Sequence, residues 1–218
     1  MFVKHKATGI LLSFMVLCLL AAPAFAGLIG TGLSYNDGTK TWEGTKTFSQ
    51  SATDGTLAGS LDWAVFTGVN FSSLFTGYTP TGGELVYAYQ LTNTGTVNIS
   101  LAELTLLSSA PADNVGDFTG NGVSGQLPKL MQITSGDVIW DFGNPDNIVP
   151  PNSSAGLAVS SIRKPRNDFY VILNGGASAT VSGIGGPGTS AIPEPSVLTL
   201  LAIAIATMGF VIVHRRKN

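Results

Sequence analysis

Cysteine, histidine and charged side chains are scarce in this chain of 218 residues. It has one cysteine, Cys18, and two histidines, His5 and His214, and only 11% of its residues are charged, against roughly 25% in an average soluble protein. A single cysteine excludes a disulfide framework within the chain, so burial of a core must stabilise the fold. Residues 27–192 contain neither cysteine nor histidine, which excludes the nucleophile–base arrangements of most covalent catalysis.

Basic charge is also scarce in the central part of the chain. Residues 27–192 carry six basic and twelve acidic side chains, which gives a net charge of −6. Proteins that bind nucleic acid normally have the opposite balance, because basic patches neutralise the phosphates. The charge balance therefore argues against a nucleic-acid partner.

The N-terminus has the three parts of a secretory signal peptide. Lys4 and Lys6 belong to a basic head, residues 9–20 form an apolar stretch, and Ala24 and Ala26 give the small-x-small pattern that signal peptidase requires. The apolar stretch is short for a membrane span. We predict that the first 26 residues, 1–26, are a signal peptide cleaved after Ala26. The alternative is an uncleaved N-terminal membrane anchor.

The C-terminus combines an uncharged apolar segment with a basic end. Residues 197–213 would span about 25 Å as a helix, near the lower limit for a bilayer core of ~30 Å. Arg215 and Arg216 follow, and positive charge is retained on the cytoplasmic side of a membrane. We predict a transmembrane helix that first anchors the exported protein in the inner membrane, with its tail cytoplasmic. The alternative is a buried C-terminal helix of a soluble fold.

A proline motif and a glycine-rich stretch precede the apolar segment. Pro193, Glu194 and Pro195 form a stiff, extended triplet, because proline fixes its own φ angle and restricts the residue before it. Residues 183–192 are rich in glycine, proline and serine, which predicts a flexible linker. The predicted order is a signal peptide (1–26), an exported domain (27–182), this linker (183–192), and the motif with its helix and basic tail (193–218).

Together these features resemble the PEP-CTERM sorting signal of exported proteins from Gram-negative bacteria. The resemblance is carried by Pro193, Glu194 and Pro195, by the apolar segment, and by Arg215 and Arg216. It implies recognition by a membrane-embedded exosortase and transfer to the cell envelope or cell surface, often in bacteria that make exopolysaccharide or biofilm. It concerns where the protein goes and not what its exported domain does.

Short segments with period-two alternation predict an all-β exported domain. Residues 84–93 and 96–104 alternate in this way, and the turn signal Asn93-Thr94-Gly95 between them predicts a β-hairpin. Further strands are predicted at residues 44–51, 57–67, 137–142, 155–162, 169–174 and 178–182. Short strands with Gly, Asn and Pro turns and no long helical period favour a β-sandwich or jelly-roll-like fold.

One acidic loop is a candidate calcium site. Asp113, Asp117 and Asn121 are spaced four apart among glycines, and Ca²⁺ prefers oxygen ligands on such loops. The spacing is not that of an EF-hand, and Asp and Asn also form turns for local reasons. Calcium binding and turn formation therefore remain alternatives, and we predict no other cofactor.

The aromatic residues and one basic cluster are candidate contacts for extracellular polysaccharide. Trp63, Tyr87 and Tyr89 lie in alternating strands, which favours packing in the core. Trp42, in a Gly- and Thr-rich stretch, is the residue that we assign as a candidate glycan contact. Residues 162–166 (IRKPR) are interpreted as a solvated turn, with contact to an acidic polysaccharide as the alternative.

Three classes of function fit these observations. The prediction that we adopt is a non-catalytic structural or adhesive protein of the cell surface or extracellular matrix, and not an enzyme. The alternative is a carbohydrate-binding module, assisted by calcium. The third is a glycosidase-like enzyme that uses carboxylates alone, which requires two of them ~5 to 9.5 Å apart.

Overall fold

The structure is a computed structural model, and it describes residue 29 and residues 32–106, 112–175 and 177–191. Within these residues, ten β-strands and one short helix form the regular secondary structure. The strands are β1 (Glu43–Ala52), β2 (Gly55–Thr67), β3 (Leu85–Asn93), β4 (Ile99–Thr105), β5 (Asn114–Phe118), β6 (Leu130–Ile133), β7 (Asp137–Asp141), β8 (Gly156–Ser161), β9 (Arg163–Gly175) and β10 (Ser178–Ala191). The helix α1 (Gly68–Leu74) lies between β2 and β3. The predicted signal peptide, sorting motif and transmembrane helix lie outside the described residues. Within those residues, no helix has the length and apolar character needed to cross a bilayer.

The strands form two antiparallel sheets of five strands each. The order is β1-β2-β3-β8-β5 in the first sheet and β10-β9-β4-β7-β6 in the second. Apolar side chains of both sheets meet in one core, as Tyr89 of β3 and Trp140 of β7 do, with ring centroids 6.0 Å apart. The prediction of an all-β sandwich is thereby confirmed.

Strand β3 is buried on both of its faces. Tyr87 and Tyr89 enter the core between the sheets, as their alternation predicted. Val86 and Ala88 face the other way and are covered by a second apolar cluster on the outer side of the first sheet. Burial on both sides explains why both faces of β3 carry apolar residues from Leu85 to Tyr89, instead of one apolar and one polar face.

The helix α1 covers the outer face of the first sheet. Thr67 caps its N-terminus, since the Thr67 hydroxyl accepts a hydrogen bond from the amide of Asn70 (3.3 Å). Phe71, the buried residue of the helix, packs on Phe66 and Phe118 with ring centroids 6.1 and 5.0 Å away. This aromatic packing fixes the position of α1, which is too short to be stable alone.

The predicted hairpin between residues 84–93 and 96–104 is wrong. Strands β3 and β4 occupy nearly these positions, but β3 pairs with β2 and β8, whereas β4 pairs with β7 and β9 of the other sheet. Asn93 is fully buried, and its side-chain amide donates to the carbonyls of Val97 and Ile148, both at 2.8 Å. These bonds direct the chain across the sandwich, so the turn between the strands is a crossing between sheets.

The predicted linker and the predicted basic turn are wrong as well. Strand β10 continues through residues 183–191, and β9 already begins at Arg163. The two strands pair in this region, with Gly186 opposite Arg166 and Pro187 opposite Pro165. Residue 192 of the predicted linker lies outside the described residues. The Gly-rich stretch is therefore part of the second sheet.

Close packing explains the glycines of β10. A Cβ atom on Gly185 would lie 2.6 Å from the Trp63 ring, and one on Gly186 would lie 2.4 Å from the ring of Phe169. Real Cβ contacts are not this short, because both atoms would overlap strongly. The small residues that suggested flexibility instead leave room for two buried aromatic rings.

Alanine at Gly185 or Gly186 is expected to lower the free energy of unfolding by about 1–3 kcal/mol, since overpacking a close-packed core has an effect of this size. Thermal unfolding followed by circular dichroism measures the change. Gly136→Ala is the control, because a Cβ there would meet nothing within 4 Å. Equal melting temperatures for Gly185→Ala, Gly186→Ala and the control would contradict the packing of β10 on Trp63 and Phe169.

Candidate functional site

A surface groove of about 690 Å³ lies where α1 meets the loop that leads into β3. Apolar atoms form most of its surface, and its lining includes Tyr35, Val69, Pro80, Glu84 and Leu85. Val69 is 81% exposed, the highest exposure among the large apolar side chains in the described part of the chain. An open apolar groove with few polar groups is the common form of a ligand site.

Backbone hydrogen bonds connect the two walls of the groove. The amide of Gly68 in α1 donates to the carbonyl of Glu84 (3.2 Å). The amide of Glu84 donates in turn to the carbonyl of Thr81 (3.3 Å). Between them, Gly83 has a φ of +85°, which favours glycine and closes the tight turn of the loop. A Cβ atom on Gly82 would meet nothing within 4 Å, so the tip of the loop is unobstructed.

Glu84 is the acidic side chain in the groove lining. It is 5% exposed, and its Oε2 atom is buried without a hydrogen-bond partner. No lysine or arginine is among the described residues that line the groove. Burial of Tyr78 raises the pKa of its hydroxyl to about 12, and the nearby charge of Glu84 adds to this shift. A buried carboxylate is normally paired, so Glu84 requires an explanation.

Sequence reasoning missed Glu84, although one signal for it was present. Glu84 stands in the same alternating phase as Val86 and Ala88, which are both buried. When the other residues on one face of a strand are apolar, a carboxylate at the end of that face is expected to be buried with them. The groove itself depends on α1, whose seven residues show no periodic pattern of apolar side chains.

Trp42, the predicted glycan contact, lies in the core and not on the surface. It is 6% exposed, its Nε1 atom donates to Asp37 Oδ2 (2.9 Å), and Lys40 Nζ lies 3.6 Å from a ring centroid. A stacked sugar needs an open ring face, which Trp42 does not provide here. The assignment of Trp42 as an exposed sugar platform is therefore corrected.

Asp37 organises the turn that covers Trp42. Its carboxylate accepts bonds from the Thr39 hydroxyl (2.5 Å), from the amides of Thr39 (2.8 Å) and Lys40 (3.1 Å), and from the Trp42 indole. These bonds, those from Thr39 first, hold the pKa of Asp37 well below its ordinary value. Asp37 is thus a turn-forming residue of the kind that Asp commonly provides.

The candidate calcium ligands do not converge. Asp117 lies in β5 and Asp113 directly before it, so about 13 Å separates their Cα atoms at ~3.3 Å per residue of strand. Asn121 follows in a turn with a φ of 49°, a left-handed conformation that Asn tolerates. In the part of the chain that the structure describes, no three His, Cys, Asp or Glu residues are grouped to hold a metal ion. Turn formation, the alternative, accounts for Asn121.

One acidic pair was not anticipated from the sequence. In the pairing of β4 with β7, Glu103 lies opposite Ile139 and Thr105 opposite Asp137, which makes Glu103 and Asp137 diagonal neighbours on one face. Partial burial, then the charge of Asp137 and a hydrogen bond with it, raise the pKa of Glu103.

The residues of the predicted sorting signal lie outside the described part of the chain. They are Pro193, Glu194, Pro195, Arg215 and Arg216, together with Ala24 and Ala26 of the predicted cleavage site. No family model, no curated protein and no solved structure matches this chain. Its function is therefore argued from its own residues.

Glu103→Gln is expected to stabilise the protein at pH 7 by less than about 1 kcal/mol, because both carboxyls are only partly buried and solvent screens their repulsion. The raised pKa means that the folded state holds the Glu103 proton more tightly than the unfolded state does. The contribution of Glu103 to wild-type stability therefore falls as the pH rises above about 4.5, whereas the glutamine variant avoids this loss.

Melting temperatures between pH 3 and pH 8 test this expectation. The difference between Glu103→Gln and the wild type should vanish below about pH 4 and decrease in high salt. Asp54→Asn, at an exposed turn on another edge, is the control. A gain in stability that is the same at pH 3 and pH 8 would show that repulsion from Asp137 is not its cause.

Proposed function

We propose that this chain is a non-catalytic, exported protein of the cell surface or extracellular matrix, sorted through a PEP-type signal at its C-terminus. The observation that carries the proposal is the position of the motif relative to the fold. The last strand, β10, ends at Ala191, and Pro193 follows two residues later in the sequence. The ten strands form both sheets without the motif, which leaves the tail to serve export and anchoring.

The finer parts of the proposal follow from the sequence pattern. A signal peptide cleaved after Ala26 starts export, and a helix over residues 197–213 holds the chain in the inner membrane with Arg215 and Arg216 inside. An exosortase reads Pro193, Glu194 and Pro195. The sandwich is jelly-roll-like, because from β3 to β9 the chain changes sheets at every step except that from β6 to β7.

The burial of the tryptophans supports a structural role over carbohydrate binding. Trp42, Trp63 and Trp140 are all buried in the core. A carbohydrate-binding module that stacks sugars on tryptophan needs at least one exposed ring. The large aromatic residues instead stabilise a domain that has no disulfide, which suits a structural or adhesive component.

The short distance between the fold and the motif sets the geometry of sorting. Five residues lie between Ala191 and the start of the apolar segment at residue 197, and the six Cα-to-Cα steps of an extended chain span at most about 20 Å. The sandwich therefore stands close to the membrane surface while it is anchored. The exosortase acts within this narrow space.

Mass spectrometry of the protein from its native cell surface tests the proposal. A mature form that begins at Gly27 and ends near Pro193 is expected. The double variant Pro193→Ala/Pro195→Ala is expected to accumulate in the membrane with its apolar segment retained, whereas Pro128→Ala, outside the motif, should mature normally. A wild-type protein that keeps residues 197–217 at the surface would indicate a plain membrane anchor instead.

A further inference from the structure

The carboxylate of Glu84 has no counter-charge within the described fold. Its Oε2 atom is buried and unpartnered, and the described groove lining holds neither lysine nor arginine. An uncompensated charge in a covered site is unfavourable, and pairing with a cation relieves this. A cation carried by a molecule that enters the groove would supply the positive charge that the described lining lacks.

The walls of the groove restrict what else this molecule can carry. Tyr35, Val69, Pro80 and Leu85 give them a largely apolar surface. An aliphatic stem gains free energy by leaving water for such a surface. Side chains with an apolar stem and a charged end fit walls of this kind.

We propose that the groove binds a primary ammonium group on an aliphatic stem, and that its natural ligand is a lysine side chain of a partner polypeptide. Glu84 supplies the charge that pairs with the ammonium, and Val69 and Pro80 cover the stem. The net charge of −6 over residues 27–192 attracts a cationic segment toward the domain. This proposal does not depend on the sorting signal, so its failure leaves the proposed function intact.

Two of the hydroxyl groups that line the groove are already engaged within the chain. The Thr67 hydroxyl already accepts the amide of Asn70, and the Ser73 hydroxyl donates to the Asn70 carbonyl (2.7 Å). Recognition of a sugar depends on several polar groups that converge on its hydroxyls, and two of those in the lining are engaged in α1. A single carboxylate among apolar walls suits a ligand with a single charged end.

Titrations of the full chain in detergent micelles test the proposal by amide NMR. The probe is N-acetyl-lysine methylamide, and the amides of Gly68, Gly82 and Gly83 report on the groove, which all three residues line. Saturable shifts at these amides are expected in the millimolar range that a ligand of this size reaches, on the order of 1 mM. N-acetyl-norleucine methylamide, which has the stem without the ammonium, should bind at least about tenfold more weakly.

Glu84→Gln is the decisive variant, because it keeps the shape of the side chain and removes its charge. It should weaken binding of the lysine probe at least about tenfold, whereas Glu103→Gln, on the other sheet, should leave binding unchanged. Without a probe, Glu84→Gln should melt at the same temperature as the wild type or higher, since no uncompensated charge remains.

Four outcomes would overturn the proposal. Equal binding of the lysine and norleucine probes would show that the carboxylate is not used. Binding of glucosamine in place of the lysine probe would assign the ammonium to a sugar. No shift with any probe would leave the groove without this ligand. A melting temperature of Glu84→Gln well below that of the wild type would mean that Glu84 has a structural partner within the chain.

Discussion

The burial of β3 on both faces is the constraint on which the rest of the structure depends. On its inner face, Tyr87 and Tyr89 reach across the core, and their hydroxyls donate to the carbonyls of Arg163 and Gly185, both at 2.6 Å. Burial raises the pKa of both hydroxyls, so they remain protonated donors. The central strand of the first sheet therefore holds β9 and β10, the last two strands of the second. The glycines of β10 permit this, because a bulkier strand would collide with Trp63 and Phe169.

The outer face of β3 determines the candidate site. Val86 and Ala88 need a cover, which α1 and its aromatic neighbours supply. Because α1 closes only part of the sheet, its junction with the loop before β3 leaves the groove open at the position of Glu84. The same packing that buries the apolar residues of this face also removes Glu84 from water. The unpaired carboxylate is thus a consequence of how the sheet is covered, and its chemistry is what distinguishes this groove from other surface depressions.

Patterns local in sequence predicted much of the fold, and non-local packing decided the rest. The strands predicted at residues 44–51, 57–67, 137–142 and 155–162 agree with β1, β2, β7 and β8 to within two residues at each end. The core positions of Trp63, Tyr87 and Tyr89 are confirmed. The hairpin failed because a turn at Asn93 does not specify which strands pair. Strands β5 and β6 and helix α1 are four to seven residues long, too short for a reliable period. The burial of Trp42 and Glu84 depends on which elements pack over them, and neighbouring residues in the sequence do not show this.

The glycine-rich C-terminal stretch illustrates why composition was ambiguous here. A stretch such as GIGGPGTSA has no side chains with which to form a core, and this is typical of linkers. The same lack of volume allows a strand to pass directly over buried rings, and Arg163 Nη1 donates to the Thr189 carbonyl (2.9 Å) to hold its final residues. A packed strand differs from a flexible linker here only through contacts with Trp63 and Phe169. Both residues are more than 15 positions away along the chain from the glycines that they contact. Because β10 is a packed strand, the domain presents the residues after Ala191 from a fixed point and not from a flexible tether. Under the proposed sorting function, the stability of this strand would affect the access of an exosortase to Pro193, since fraying of β10 would lengthen the free chain before the motif.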